Sequence, residues 1–244
     1  GIYFNGTYDG KSKTISNIYI MAKESVYQGL FGINSGYIKN VNVSNINIYV
    51  AGQAGGIAGV NMGTVENCKN LGGSINLYGV EARSGGIVGE NLSGTAGAVR
   101  KCANYSSIKT YAEYGHHIGG IVGFNGREDG TEGQVEMSFN YGKITTQYGA
   151  TGGIVGCNYK GSVKNSYNVG EITSTKTLAG GITGSTNDAT VENSYNVGKI
   201  VSESGNGGVS GDATLENINK CYYLQGTATG GINGADTSGR AEAK

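Results

Sequence analysis

A five-residue unit, Gly-Gly-Ile-x-Gly, constrains this chain more than any other feature, because it recurs in register along almost the whole length. Gly55-Gly56-Ile57-Ala58-Gly59 returns at Gly85–Gly89, Gly119–Gly123, Gly152–Gly156, Gly180–Gly184 and Gly230–Gly234, and with valine for isoleucine at Gly207–Gly211. A degenerate first copy is Gln28-Gly29-Leu30-Phe31-Gly32, and successive copies start 23 to 34 residues apart. After most pentads comes a second block: GTVENCKNLG at 63, GQVEMSFNYG at 133, GSVKNSYNVG at 161 and ATVENSYNVG at 189. A third block is led by isoleucine, at Ile75, Ile108, Ile144, Ile172 and Ile200. A fixed period of this length marks an array of stacked units rather than a globular core.

The blocks are short and rich in β-branched residues, which fit a pleated surface better than a helix. Three strands and three turns then fill one coil. A single coil cannot bury its apolar face. Coils stacked about 4.8 Å apart bury a continuous core and pair their backbones above and below. The expected fold is all-β, a single-stranded parallel β-helix (a β-solenoid) of about eight coils. The coil is expected to be right-handed, from the general preference of parallel crossovers. Residues 1–27 form the first coil, 28–234 the repeats, and 235–244 a polar C-terminal tail. Ile57, Ile87, Ile121, Ile154 and Ile182 point inward. The glycines supply corners of positive φ and permit close approach between coils. The lack of proline fits a fold in which nearly every backbone N–H is needed by a neighbour.

Stacking turns repeated positions into columns. Asn34, Asn61, Asn91, Asn125 and Asn158 share one position, and Asn70, Asn104, Asn140, Asn168 and Asn196 another. Stacked amides hydrogen-bond to each other and to turn backbone, so both columns read as structural. Cys68 and Cys102 occupy a position taken later by Ser138, Ser166, Ser194 and Cys221, which indicates a small, inward, tightly packed site. Buried free thiols are the favoured reading, with a Cys68–Cys102 disulfide as the alternative. Cys157 lies elsewhere, and without a C-x-x-C pair no zinc site is expected. The residue after the Ser/Cys position is aromatic in four successive coils: Phe139, Tyr167, Tyr195 and Tyr222. Period-2 alternation sends these rings outward, as flat faces for sugar rings or as a self-stabilising stack.

The composite pattern G-G-I/L-V-G-x-N-x-G-x-V-x-N-C/S-x-N-x-G resembles the GLUG repeat of bacterial cell-surface and secreted proteins. The opening FNGTYDGKSKTISNIYI, with Gly6, Asp9, Gly10, Ile15 and Asn17, is similar to the segment that often precedes those repeats. The resemblance covers about residues 4 to 234. Thr183 and Ser210 depart from the I-V-G form. It implies a parallel β-solenoid, an extracellular or cell-surface location, and the company of adhesin-like proteins and of secreted immunoglobulin A proteases, where such repeats lie outside the catalytic domain.

Charge narrows the function classes. Acidic and basic residues balance at 18 each, scattered along the chain, so no basic stripe suggests nucleic acid. Apolar runs are too short to span a bilayer. No segment reads as a signal peptide, and the strand-like opening reads as a piece of a longer protein. The densest acidic stretch is Glu128, Asp129, Glu132 and Glu136. It reads as a solvated loop, with a loosely held Ca²⁺ as the one cofactor it could take. His116 and His117, adjacent in an expected turn, carry no metal motif. Irregular threonines in KITTQ and EITSTK do not make an ice-binding rank. No catalytic or metal-binding residue is assigned. The expectation is a non-catalytic adhesin-like domain or rigid spacer whose partner is a host protein or glycan. The insertions at 91–97 and 125–133 would supply selectivity. The other class is a carbohydrate-active β-helix enzyme, a polysaccharide lyase or hydrolase.

Overall fold

The structure is a computed structural model describing residues 3–22, 27–80, 82–95, 97–111, 116–127, 129–203, 206–235 and 240–244. Five parallel sheets run along it, with eight, eight, nine, seven and seven strands. One coil shows the path. Val155–Tyr159 lies in sheet 1, Ser162–Lys164 in sheet 2, Tyr167–Asn168 in sheet 3, Ile172–Ser174 in sheet 4 and Ala179–Gly180 in sheet 5. The chain then re-enters sheet 1 at Thr183–Asn187. The first coil begins at Tyr3–Phe4, which pairs with Phe31–Asn34. At the other end Ala241–Ala243, within the segment read as a polar tail, pairs with Cys221–Tyr223 and extends sheet 3.

Each complete coil among the described residues therefore has five strands, not the expected three. Two of the three sequence blocks are each broken by a corner. The second block bends at a residue held in the left-handed region: Asn67 (φ 51°), Lys101 (φ 54°), Met137 (φ 45°), Asn165 (φ 51°) and Asn193 (φ 49°). Asparagine tolerates this conformation; lysine and methionine adopt it at a cost of roughly 1–2 kcal/mol. The pentad bends at its second glycine and isoleucine, ending sheet 5 and starting sheet 1.

The pentad glycines from Gly55 to Gly184 do not have positive φ, so only half of the expected reason for them holds. They exclude a Cβ. One on Gly55 would lie 2.5 Å from the Ile87 oxygen, and one on Gly59 2.6 Å from the Gln28 nitrogen in sheet 5. The last glycine of each unit thus lets sheet 1 pack directly on the backbone of sheet 5.

The core is a column of β-branched side chains. Ile57, Ile87, Ile121, Ile154 and Ile182 are fully buried, with Val65, Val99, Val135, Val163 and Val191 from sheet 2. Both asparagine columns are buried and bonded. In the first, Asn34, Asn61, Asn91 and Asn125 each donate Nδ2 to the Oδ1 of the next asparagine at 2.7–2.8 Å, ending on Asn158. In the second, Asn104, Asn140 and Asn168 do the same toward Asn196. The Asn70 step is bridged by the Ser106 hydroxyl, which accepts from Asn70 and donates to Asn104. The four cysteines are free and buried. Along their column the Ser138, Ser166 and Ser194 hydroxyls accept from the N–H of Cys102, Ser138 and Ser166 at 3.2 Å.

Asn140→Leu tests the second ladder. It removes the partner of the Gly142 C=O (2.9 Å), leaves the Gly142 N–H only a 3.3 Å bond to the Asn104 carbonyl, and breaks the ladder bonds to Asn104 and Asn168. The expected loss is about 2–4 kcal/mol in urea unfolding followed by circular dichroism. An unchanged midpoint would show that the ladder adds nothing to stability.

Candidate binding surfaces

The predicted aromatic column is on sheet 3. Phe139, Tyr167, Tyr195 and Tyr222 are register partners in successive coils. Phe139 and Tyr167 stack at 5.0 Å with planes 12° apart, and Tyr167 and Tyr195 at 5.0 Å and 4°. Stacking of this kind turns the two faces of Tyr167 toward its neighbours. An incoming sugar therefore meets ring edges and hydroxyls along the middle of the column, not the flat faces expected.

A second column runs beside the first. Tyr105 and Tyr141 stack at 5.0 Å, and Tyr141 stands at 87° to both Phe139 and Tyr167. Val169, Val197 and Leu224 continue it, all exposed. The sequence signal was available: the residue after each asparagine of the second ladder is Leu71, Tyr105, Tyr141, Val169 and Val197 in turn. Burial, then the Tyr141 hydroxyl 3.5 Å away, makes the Tyr167 phenol a weaker acid than usual.

Sheet 2 carries charges that read as scattered but stand in one column. Asp9, Lys39, Glu66, Arg100, Glu136, Lys164 and Glu192 alternate in sign from coil to coil. Glu66 accepts from the Tyr37 hydroxyl and lies 3.1 Å from Arg100 and 3.2 Å from Lys101. The Tyr37 bond above all lowers its pKa to about 2. Of the acidic stretch, Glu136 belongs to this column, Asp129 closes its own loop on the Thr131 N–H at 2.9 Å, and Glu128 lies outside the described residues. The two insertions meet where the Gly94 N–H donates to the Glu132 carbonyl. Among the described residues no group of three or more His, Cys, Asp or Glu is placed to hold a metal ion. Nor is any described helix long and apolar enough to cross a membrane.

The surface that sequence reasoning missed is a cleft where sheets 5 and 1 meet. Tyr27, Gln53, Arg83 and His117 begin successive strands of sheet 5. Facing them in sheet 1 are Ile33, Val60, Glu90, Phe124 and Cys157, register partners coil by coil. All five are buried, and the four other than Glu90 pack apart from the main core in two small clusters. His117 is in a strand, not the expected turn. Arg83 pairs with Glu90, whose side chain is 8% exposed, and holds its guanidinium 4.2 Å from the Phe124 ring centre. The His117 ring lies against the same phenylalanine at 5.1 Å. Burial first, then Arg83 and His116, depress the His117 pKa to about 4. Burial raises the Cys157 thiol, so it is no activated nucleophile. A cavity of about 300 Å³ opens here, bordered by Tyr3, Tyr27, Gln53, Arg83, Glu90 and Arg127 among others.

The GLUG motif matches residues 147–173, which span one coil from sheet 5 round to sheet 4. A crystal structure of a candidate immunoglobulin A1 protease from Bacteroides ovatus is similar over 97% of this chain and 68% of its own, with a TM-score of 0.54 and 18% identity. At that identity the likeness is one of fold. No curated protein matches the chain.

The His117 shift has a consequence for pH. The unfolded chain takes up a proton below pH 6.5 that the folded chain refuses until about pH 4. Stability present at neutral pH therefore falls as the pH drops through that window, by about 3 kcal/mol for this group. Glu66 adds its own loss only between pH 4.5 and about 2. In His117→Gln, unfolding free energies measured from pH 7 to 4.5 should lose most of this slope. A slope equal to that of wild type would show that His117 is not held neutral in the folded state.

Proposed function

This chain belongs to the GLUG-repeat family, and from that premise we propose that it is a rigid, non-catalytic module of a secreted or cell-surface protein. Its adhesive surface is the strip on sheet 3, and the partner is a host protein or glycan. The observation that carries this reading is the strip itself. Two adjacent columns of rings and aliphatic side chains stay outward through successive coils, where solvated faces usually break up apolar patches. Backbone pairing and the asparagine ladders hold them on one line. The Bacteroides ovatus neighbour, described as a candidate immunoglobulin A1 protease, is consistent with a secreted setting.

The competing enzymatic class needs free, convergent acids. Here Glu66 is tied to Tyr37 and Arg100, Glu90 to Arg83, and Glu171 to Lys143 at 2.7 Å. The spacer reading is favoured by one observation, that the strip's inner rings spend their faces on each other.

A glycan array and a serum-protein pulldown with wild type and Tyr167→Ala/Tyr195→Ala decide between these. Wild type should bind, and the double variant should bind about tenfold more weakly or worse, with little dependence on salt. Equal binding at unchanged melting temperature makes the strip structural, and no binding by wild type leaves the spacer. Reproducible cleavage of immunoglobulin A1 or polygalacturonate by the purified protein would overturn the non-catalytic assignment.

A further inference from the structure

We propose that the cleft between sheets 5 and 1 is a second, selective site, built for a short uncharged carbohydrate. It is separate from the strip on sheet 3 and its ligand class is set by its own chemistry.

The first argument is unmet hydrogen bonding. Gln53 Oε1 and His117 Nδ1 are buried without a partner, and they lie on the sheet 5 wall on either side of Arg83. A buried polar atom left unpaired costs about 1–3 kcal/mol, and such atoms in a folded protein require an explanation. The coils themselves supply none, whereas both asparagine ladders are closed by neighbours one coil away. Gln53 lines the cavity, so a ligand group entering it can serve the Gln53 oxygen, with His117 one coil beyond Arg83.

The second argument is charge. Arg83 is matched by Glu90, and Arg127, on the border of the cavity, lies 3.7 Å from Asp129. His117 is neutral at physiological pH. The walls therefore sum to no net charge. A carboxylate or phosphate ligand would have to compete with Glu90 for Arg83, and a cation with Arg83 for Glu90. A hydroxyl group does neither. It donates to Gln53 Oε1 or the Glu90 carboxylate while accepting from Arg83, and vicinal hydroxyls do this in pairs.

The third argument is shape. The cavity, at about 300 Å³, is at the small end of ligand sites and suits one or two sugar rings. Exposed Tyr3 and Tyr27 stand at its border, and Ile33, Val60 and Leu92 form an apolar patch beside them, so a ring with one polar edge and one apolar face is accommodated.

Gln53→Met gives the sharpest test, because it removes an unpaired buried oxygen at similar side-chain length. A residue kept for folding would lose stability on this change; a residue kept for a ligand would not. The probe is an array of neutral oligosaccharides together with their sialylated counterparts, read with wild type, Gln53→Met, Glu90→Gln and Tyr167→Ala/Tyr195→Ala. Wild type should retain neutral members over sialylated ones. Gln53→Met should melt at or above the wild-type temperature and bind those members about tenfold more weakly, and Glu90→Gln should also weaken binding. Wild type retaining no neutral glycan, preferring the sialylated forms, or binding equally after Gln53→Met would each overturn the proposal. Loss only in the Tyr167/Tyr195 variant would sink the cleft while leaving adhesion through the strip intact.

Discussion

The structure depends on one close approach, that of the sheet 1 backbone to the backbone of sheet 5 at the last glycine of each pentad. A methyl group on Gly59 or Gly89 would stand 2.6 or 2.8 Å from the sheet 5 backbone nitrogens of Gln28 and Ala54, which cannot yield. With the Cβ absent, the chain folds back sharply after each sheet 5 strand and the isoleucine of the pentad drops into the core. The same sharp return makes the outer face re-entrant. Side chains that leave sheets 5 and 1 on their outer sides converge, which is why Glu90 and Phe124 are buried though they are not in the core. The glycine seam thus closes the coil and opens the cleft in one step.

Backbone pairing at one spacing does not choose a register, since sliding a coil preserves most of it. The columns make the choice. Each buried asparagine amide has one donor and one acceptor committed along the stack, so a slipped coil would strand several at once. The sheet 2 charges add a second condition. With signs alternating from Asp9 to Glu192, a coil paired with its next-but-one neighbour would face like charge.

Much of this was legible in the chain. The glycine unit, the two asparagine columns, the inward isoleucines and the outward placement of Phe139, Tyr167, Tyr195 and Tyr222 all follow from aligning repeats, because stacking converts equal sequence position into equal place in space. What escaped were relations within a coil. Lys101 and Met137 are poor left-handed residues, so the corner that splits the second block carries no composition signal in those coils. The cleft escaped for a similar reason. Arg83 and Glu90 belong to different sheets, and their meeting depends on the angle at the glycine seam rather than on any spacing. The orientation of the rings was likewise invisible, since alternation says which side a side chain takes and not which way its plane turns.

Repetition also supplies a way to tell structural residues from others. In a solenoid each coil contacts only its neighbours, so what the stack requires should recur at equivalent positions. Isoleucine, asparagine and glycine do. Glu90 as a buried carboxylate does not: the same place in sheet 1 holds Tyr3, Ile33, Val60, Phe124, Cys157, Ser185 and an exposed Asp212 in other coils. A carboxylate with 8% of its side chain exposed forfeits several kcal/mol of hydration, and its pairing with Arg83 at best offsets that. The seven equivalent positions in this sheet show no such buried pair, and two of them hold an aliphatic side chain. The ion pair is therefore not a condition of folding, and its position at the border of the cavity gives it a different one to meet.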